Sequence, residues 1–268
     1  MSLTSPLGSF IPGNSPLHRL DPRAKAIALL VLVISMFTVS SPVQLACAVA
    51  LVCLGCLAAG RAGAHVPRAA AVIVPFAAIV AIFDLFVLRG GATLAQLGPL
   101  TVTEAGARGA MLYSVRLVLA VALGALLLVT TTPTALTDAF ESLLSPLDRL
   151  GVPIHEAAMV LSLALRFVPT LSDEVSSVMD AQAARGASFE TGGIVARGRA
   201  LGSVMVPVFA GALRHAQNLS RALDARCYEG GSARTHYREL SLGRRDAALA
   251  VVCLAWVCLL VWLHLAGL

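Results

Sequence analysis

Residues 247–266, AALAVVCLAWVCLLVWLHLA, run for twenty positions without an Asp, Glu, Lys or Arg. Coiled as a helix, such a run is about 30 Å long, the thickness of a bilayer's hydrocarbon core. Comparable apolar runs occupy residues 26–39 and 43–60, parted only by Ser40-Ser41-Pro42, then 69–88, and 109–132 after a Gly-rich loop at 89–108. A segment in lipid must satisfy its own backbone polar groups, so runs of this kind are helices. The expected fold is therefore all-α, a polytopic membrane protein with about five transmembrane helices. Charged residues agree, at 13% against about 25% in soluble domains. Periodicity adds little, because a span that is apolar all round has no stripe.

The first 25 residues, MSLTSPLGSFIPGNSPLHRLDPRAK, are polar, rich in Pro and Gly, and carry their charges just before the first apolar run. A secretory signal would place its apolar core nearer the start and follow it with a small-residue cleavage site, so none is expected. Basic residues in short loops set the orientation. With the N-terminus inside, the inner segments hold Arg19, Arg23, Lys25, Arg61 and Arg68, and the outer ones only Arg89 and Arg108. Four spans then return the chain to the cytoplasm, and the last leaves the C-terminus outside.

Three regions follow: residues 1–132 with the N-terminal tail and four spans, 133–246 as a cytoplasmic module, and 247–268 as a final span. The middle region holds twelve of the fifteen acidic residues and twelve arginines. Its apolar stretches, AAMVLSLAL (157–165) and LGSVMVPVFAGAL (201–213), are short for spans. Pro169 and Pro207 are each expected to kink or start a helix. From each proline a helix runs to the same phrase, A-x-x-A-R: Ala181, Ala184 and Arg185, then, forty-one residues on, Ala222, Ala225 and Arg226. Leu171, Val175, Val178 and Gln182 share a face with Arg185, while Val208, Ala212, His215, Leu219 and Leu223 lead to Arg226; each helix is amphipathic. Gly186 is a natural stop for the first. In the second, Cys227 follows directly and Gly230-Gly231 comes slightly later. An arginine in a last helical turn is favoured by the helix dipole and is on that ground alone unremarkable. Two copies flanked by small alanines point instead to a close-approaching partner surface, which suits the guanidinium fork.

Several chemistries are excluded. There is no G-x-x-x-x-G-K-[ST] phosphate loop, and the single lysine, Lys25, could not complete one. HEAAM (155–159) places Met159 where a zinc helix needs its second His. Ser, His and Asp occur without a nucleophile elbow. Cys53-x-x-Cys56 lies mid-span without His or acidic neighbours and reads as packing. No catalytic residue, metal site or nucleic-acid partner is expected. Asp84 and Arg116 lie inside spans, where ionisable side chains serve as relays or as structural pairs; with no further relay residue in the spans, a structural pair is favoured. Rival readings are a secondary transporter using Asp84 and Arg116, and a membrane enzyme with its site in 133–246.

RFVPTLSDEVSSVMDAQAARGASFETG (166–192), VPVFAGALRHAQNLSRALDARCYEGGSARTHYREL (206–240) and the opening IPGNSPLHRLDPRAK (11–25) together resemble the T component of energy-coupling factor vitamin transporters. The likeness covers most of residues 10–240. It implies a non-catalytic membrane scaffold of an ABC-type importer, joining two cytosolic ATPases, which hold the ATP and Mg, to a small substrate-binding membrane subunit, the S component. The two arginine phrases would end coupling helices that dock on the two ATPases, through Ala184, Arg185 and Gly186 and through Ala225, Arg226 and Cys227. ARCY resembles the form seen where several vitamin-specific S components share one scaffold. Glu229 departs from the family, whose members often carry a basic residue there. The resemblance leaves the cargo open, since that site would lie on the S component.

Overall fold

The computed structural model describes residues 10–88, 90, 92–97, 100–146, 151, 153–187, 189, 193–228 and 243–267. Among them the elements run in the order α1 (Pro22–Thr38), α2 (Pro42–Ala59), a 3-10 turn (Gly63–His65), α3 (Val66–Ala71), α4 (Val74–Val87), β1 (Thr93–Leu97), β2 (Leu100–Thr103), α5 (Glu104–Thr130), α6 (Pro133–Leu144), α7 (Ile154–Ala184), α8 (Ile194–Asp224) and α9 (Arg244–Leu265). Local chemistry sets the starts. Asp21 caps α1 by accepting from the Arg23 N–H, and Ser41 caps α2 by accepting from the Gln44 N–H, each with proline at the first helical position.

The described helices form two compact units, one of α1 to α5, most of α6, and α9, the other of α7 and α8. Within the first, α5 packs against α1, α2, α3 and α4. Its Leu119, Leu123, Leu126 and Val129 meet Met36 and Val39 of the first hairpin, and Trp256 of α9 joins the same core. The Trp256 indole N–H donates to the Ser35 hydroxyl at 2.9 Å, so a buried polar tip is satisfied. Gly106 and Gly109 let α5 close on α4. A Cβ at Gly106 would come within 2.7 Å of the Leu85 carbonyl oxygen, and one at Gly109 would overlap the Leu88 side chain. Small residues on one face are what bring membrane helices together.

Outside this core the surface is greasy: Leu30, Phe37, Leu54, Leu57 and Ile79 are all more than half exposed, an arrangement that a bilayer covers and water would not. Among the described residues four helices, α2, α5, α7 and α9, are long and apolar enough to cross a membrane, or five if the pair of α3 and α4, bent by 55°, is one broken span. Pro75 sits just past that break, where its missing N–H and its ring interrupt the ladder.

Three expectations change. The loop 89–108 contains an antiparallel hairpin, β1 with β2, with Thr93 opposite Thr103 and Leu97 opposite Leu100; the Thr103 hydroxyl accepts from the Gly106 N–H to start α5 and donates to the Leu88 carbonyl ending α4. The helices α7 and α8 do not start at Pro169 and Pro207 but run through them, beginning fifteen and thirteen residues earlier. An internal proline costs about 3 kcal/mol, which two or more turns on each side offset. For that reason α7 reaches spanning length, with mean hydropathy 1.3 against 2.2 or more in the other three single helices. At 17 residues, α1 is shorter than any of these.

Candidate coupling site

The two arginine phrases end their helices by the same backbone device. At the end of α7 the Arg185 N–H donates to the Gln182 carbonyl at 3.0 Å, Gly186 to Ala183 at 2.9 Å, and Ala187 to Gln182 at 3.0 Å. At the end of α8 Arg226 donates to Leu223 at 3.0 Å, Cys227 to Asp224 at 3.0 Å, and Tyr228 to Leu223 at 3.1 Å. Bond for bond this is a Schellman motif, which needs a left-handed residue after the cap. Gly186 supplies it at φ +90 and Cys227 at φ +52. The second helix therefore stops without waiting for a glycine. Gly230-Gly231, like Glu229, Ser188 and Ser232, lies outside the described residues.

Each arginine thus lies just past the end of its helix, Arg185 one residue beyond Ala184 and Arg226 two beyond Asp224, where unsatisfied carbonyls favour a cation. Ala184, Arg185, Gly186, Ala225, Arg226 and Cys227 are all exposed, and among the described residues neither guanidinium has a hydrogen-bond or ion-pair partner. Behind the tips, Leu171, Val175, Val178 and Gln182 of α7 and Val208, Ala212, His215, Leu219 and Leu223 of α8 are half-buried, the faces set out by their spacing.

The caps make a paired prediction. Gly186→Ala puts a Cβ on left-handed backbone at a cost of about 1–2 kcal/mol, whereas Cys227→Gly removes such a penalty. Amide hydrogen exchange in the last turn of α7 is expected to speed up about five- to thirtyfold in Gly186→Ala, and that at the end of α8 to slow in Cys227→Gly. Unchanged exchange in both would show that the left-handed residues do not hold the tips.

Asp84 and Arg116 are not brought together. The Arg116 guanidinium donates to the Val39 carbonyl and lies over the Tyr113 ring, 5.0 Å from its centroid. Val39 is the C-cap of α1, so its carbonyl is one that the helix leaves unpaired, at the negative end of the dipole. Arginine answers that need, and no ion pair joins it to Asp84, whose Oδ2 is buried without a hydrogen bond. The expected structural pair is replaced by an arginine that pins α1 to α5.

The opening segment has a role that spacing did not reveal. His18 donates through Nε2 to the Ile11 carbonyl at 3.0 Å and accepts at Nδ1 from the Ser15 hydroxyl at 2.6 Å; Ile11 donates to the Val129 carbonyl at 3.1 Å. The Asp21 N–H donates to Asp246 at 2.8 Å, and the other Asp246 oxygen accepts from the Gly243 N–H at 2.8 Å. Buried Lys25 donates to the Thr130 carbonyl at 3.2 Å and the Thr131 hydroxyl at 3.3 Å. One knot of polar groups so ties the start of α1 to the end of α5 and the start of α9. The lone lysine was the available signal. Among the described residues no three His, Cys, Asp or Glu side chains converge as a metal site would require.

Residues 13–237 match the CbiQ family, described as cobalt transport protein. An energy-coupling factor transporter transmembrane protein EcfT of Acidaminococcus fermentans is 39% identical over 96% of each chain. One from Heliobacterium modesticaldum is 40% identical over 91% of this chain and 92% of its own. A putative ABC transporter ATP-binding protein of Bifidobacterium longum is 46% identical over 93% of this chain, which spans about a third of that relative's length, 32%. A predominantly helical membrane body of this kind, with such relatives, is the membrane subunit of a transporter. The chain belongs to the CbiQ family and is an energy-coupling factor transporter T component.

Proposed function

We propose that the chain is the scaffold of an ECF-type ABC importer, coupling ATP hydrolysis on two cytosolic ATPases to a substrate-binding S component that takes up vitamins or related micronutrients. Arg185 and Arg226 each dock one ATPase, and the S component sits on the apolar faces. The observation that carries this is the pair of geometrically equivalent, exposed, arginine-capped helix ends. Two like ends suit two like motors. The Bifidobacterium relative adds support. It is named for ATP binding and extends well beyond the matched 32% of its length, while the chain itself has no phosphate loop, which fits an ATP site outside the matched part. ATP and Mg accordingly reside on partners, and this subunit is not itself an enzyme. The orientation that fits is a cell-membrane protein with its N-terminus and both arginine tips in the cytoplasm and its C-terminus outside.

The ion-coupled reading is not favoured, because the family and the relatives are those of energy-coupling factor transporters. Co-purification from the native membrane discriminates: the solubilised chain is expected to bring down two ATP-binding-cassette subunits and a small membrane protein, and vesicles holding the chain alone are expected not to accumulate substrate. Ion-driven uptake by the chain alone would overturn the proposal.

A further inference from the structure

The repeat has a second layer. Glu174 stands eleven residues before Arg185, and His215 eleven before Arg226. These two side chains meet, with His215 Nε2 3.3 Å from Glu174 Oε2. Gly211, one turn before His215 and buried, gives the carboxylate its room; a Cβ there would overlap Glu174. The Phe167 ring lies 6.2 Å, centroid to centroid, from that of His215, and Gln182 Nε2 approaches the Ser203 carbonyl at 3.5 Å. As the α7 partners rise from 167 through 174 to 182, those on α8 fall from 215 through 211 to 203. The helices are therefore antiparallel, and the two arginines lie on opposite sides of the contact. At 1.5 Å per residue each is about 16 Å from it along its own helix.

The contact has the marks of a joint. Glu174 Oε2 is buried without a hydrogen bond, and among the described residues His215 is its ion-pair partner. The side chains are only half-buried, and the register is set by fit: Gly211 leaves the carboxylate the room that a Cβ would fill. Pro169 lies five residues before Glu174, and Pro207 four before Gly211. Each helix thus has its weakest rung within about a turn of the contact.

We propose that Glu174, Gly211 and His215 are positioning residues that form a pivot between the coupling helices, passing motion of one arginine tip to the other. This rests on the reading of Arg185 and Arg226 as ATPase-docking tips. Docking and transmission are separate tasks, so the pivot can be spoiled while the subunits stay assembled.

The test uses the full complex of chain, ATPases and S component, reconstituted in vesicles. Gly211→Ala and Glu174→Ala are expected to co-purify with their ATPases at wild-type yield. Uptake per ATP hydrolysed is expected to fall about tenfold, at the low end of typical coupling between sites. Combining the two substitutions lets the new methyl fill the space that the carboxylate leaves, and is expected to recover part of the loss seen in Gly211→Ala. His215→Ala probes the same contact without adding bulk, should Gly211→Ala fail to fold. Wild-type uptake per ATP in Glu174→Ala and His215→Ala would overturn the pivot, as would loss of the ATPases from either. The docking reading fails separately, if Arg185→Ala with Arg226→Ala keeps its ATPases.

Discussion

Replacing both Arg185 and Arg226 with alanine is expected to strip the ATPases from the solubilised complex while leaving the chain inserted in the membrane and able to hold the S component. Each guanidinium, seated in a partner groove, makes charge-assisted hydrogen bonds. Removing one from a buried interface costs about 2–5 kcal/mol, which weakens that contact roughly thirty- to several-thousandfold. A single substitution leaves the other tip docked, so some complex survives with blunted ATP-driven uptake. Lysine is expected to rescue poorly at either position, since an ammonium does not reproduce the planar fork. Detergent pull-down with vesicle uptake reads both effects. A double variant that keeps its ATPases and transports at the wild-type rate would reduce the arginines to ordinary helix ends.

The second large effect is expected at the other end of the chain's architecture. Lys25→Met keeps most of the stem but removes the cation from a buried site near Asp21 and Asp246 and takes the donor from the Thr130 carbonyl. Breaking a buried charge cluster on one side costs about 3–5 kcal/mol, a large share of the roughly 5–15 kcal/mol that holds a domain together. The thermal midpoint in detergent is expected to drop on the order of 10 °C. Adding Asp246→Asn, which removes a carboxylate left without its counter-charge, is expected to restore part of it. No change on Lys25→Met would mean that the knot does not stabilise the fold.

Much of the membrane body was legible because lipid leaves few choices. The runs 26–39, 43–60, 109–132 and 247–266 became Pro22–Thr38, Pro42–Ala59, Glu104–Thr130 and Arg244–Leu265, shifted by a few residues where caps, not hydropathy, set the ends. The arginine phrases were legible as a repeat. Their equivalence in three dimensions was not, because a cysteine in left-handed backbone carries no sequence signal. Proline misled for a related reason: its local cost is plain from the sequence, whereas the flanking turns that offset it are not. Pairings were least legible. Asp84 and Arg116 looked like partners because charge suggests charge, yet an unpaired helix-end carbonyl at Val39 was the competing acceptor, and no one-dimensional pattern announces a carbonyl.

The knot at the start of α1 also has a consequence in time. Asp21 and its partner Asp246 are 225 residues apart, and a ribosome adds roughly 5–20 residues each second. The first helix therefore waits on the order of ten to forty-five seconds after its synthesis before α9 arrives to close the bond. Until then the Asp21 N–H lacks this acceptor, whereas the end of α5, 105 residues after Lys25, is made in about half that time. A chain that stops before residue 246 lacks the carboxylate that accepts from the Asp21 N–H and so leaves the start of α1 one bond short.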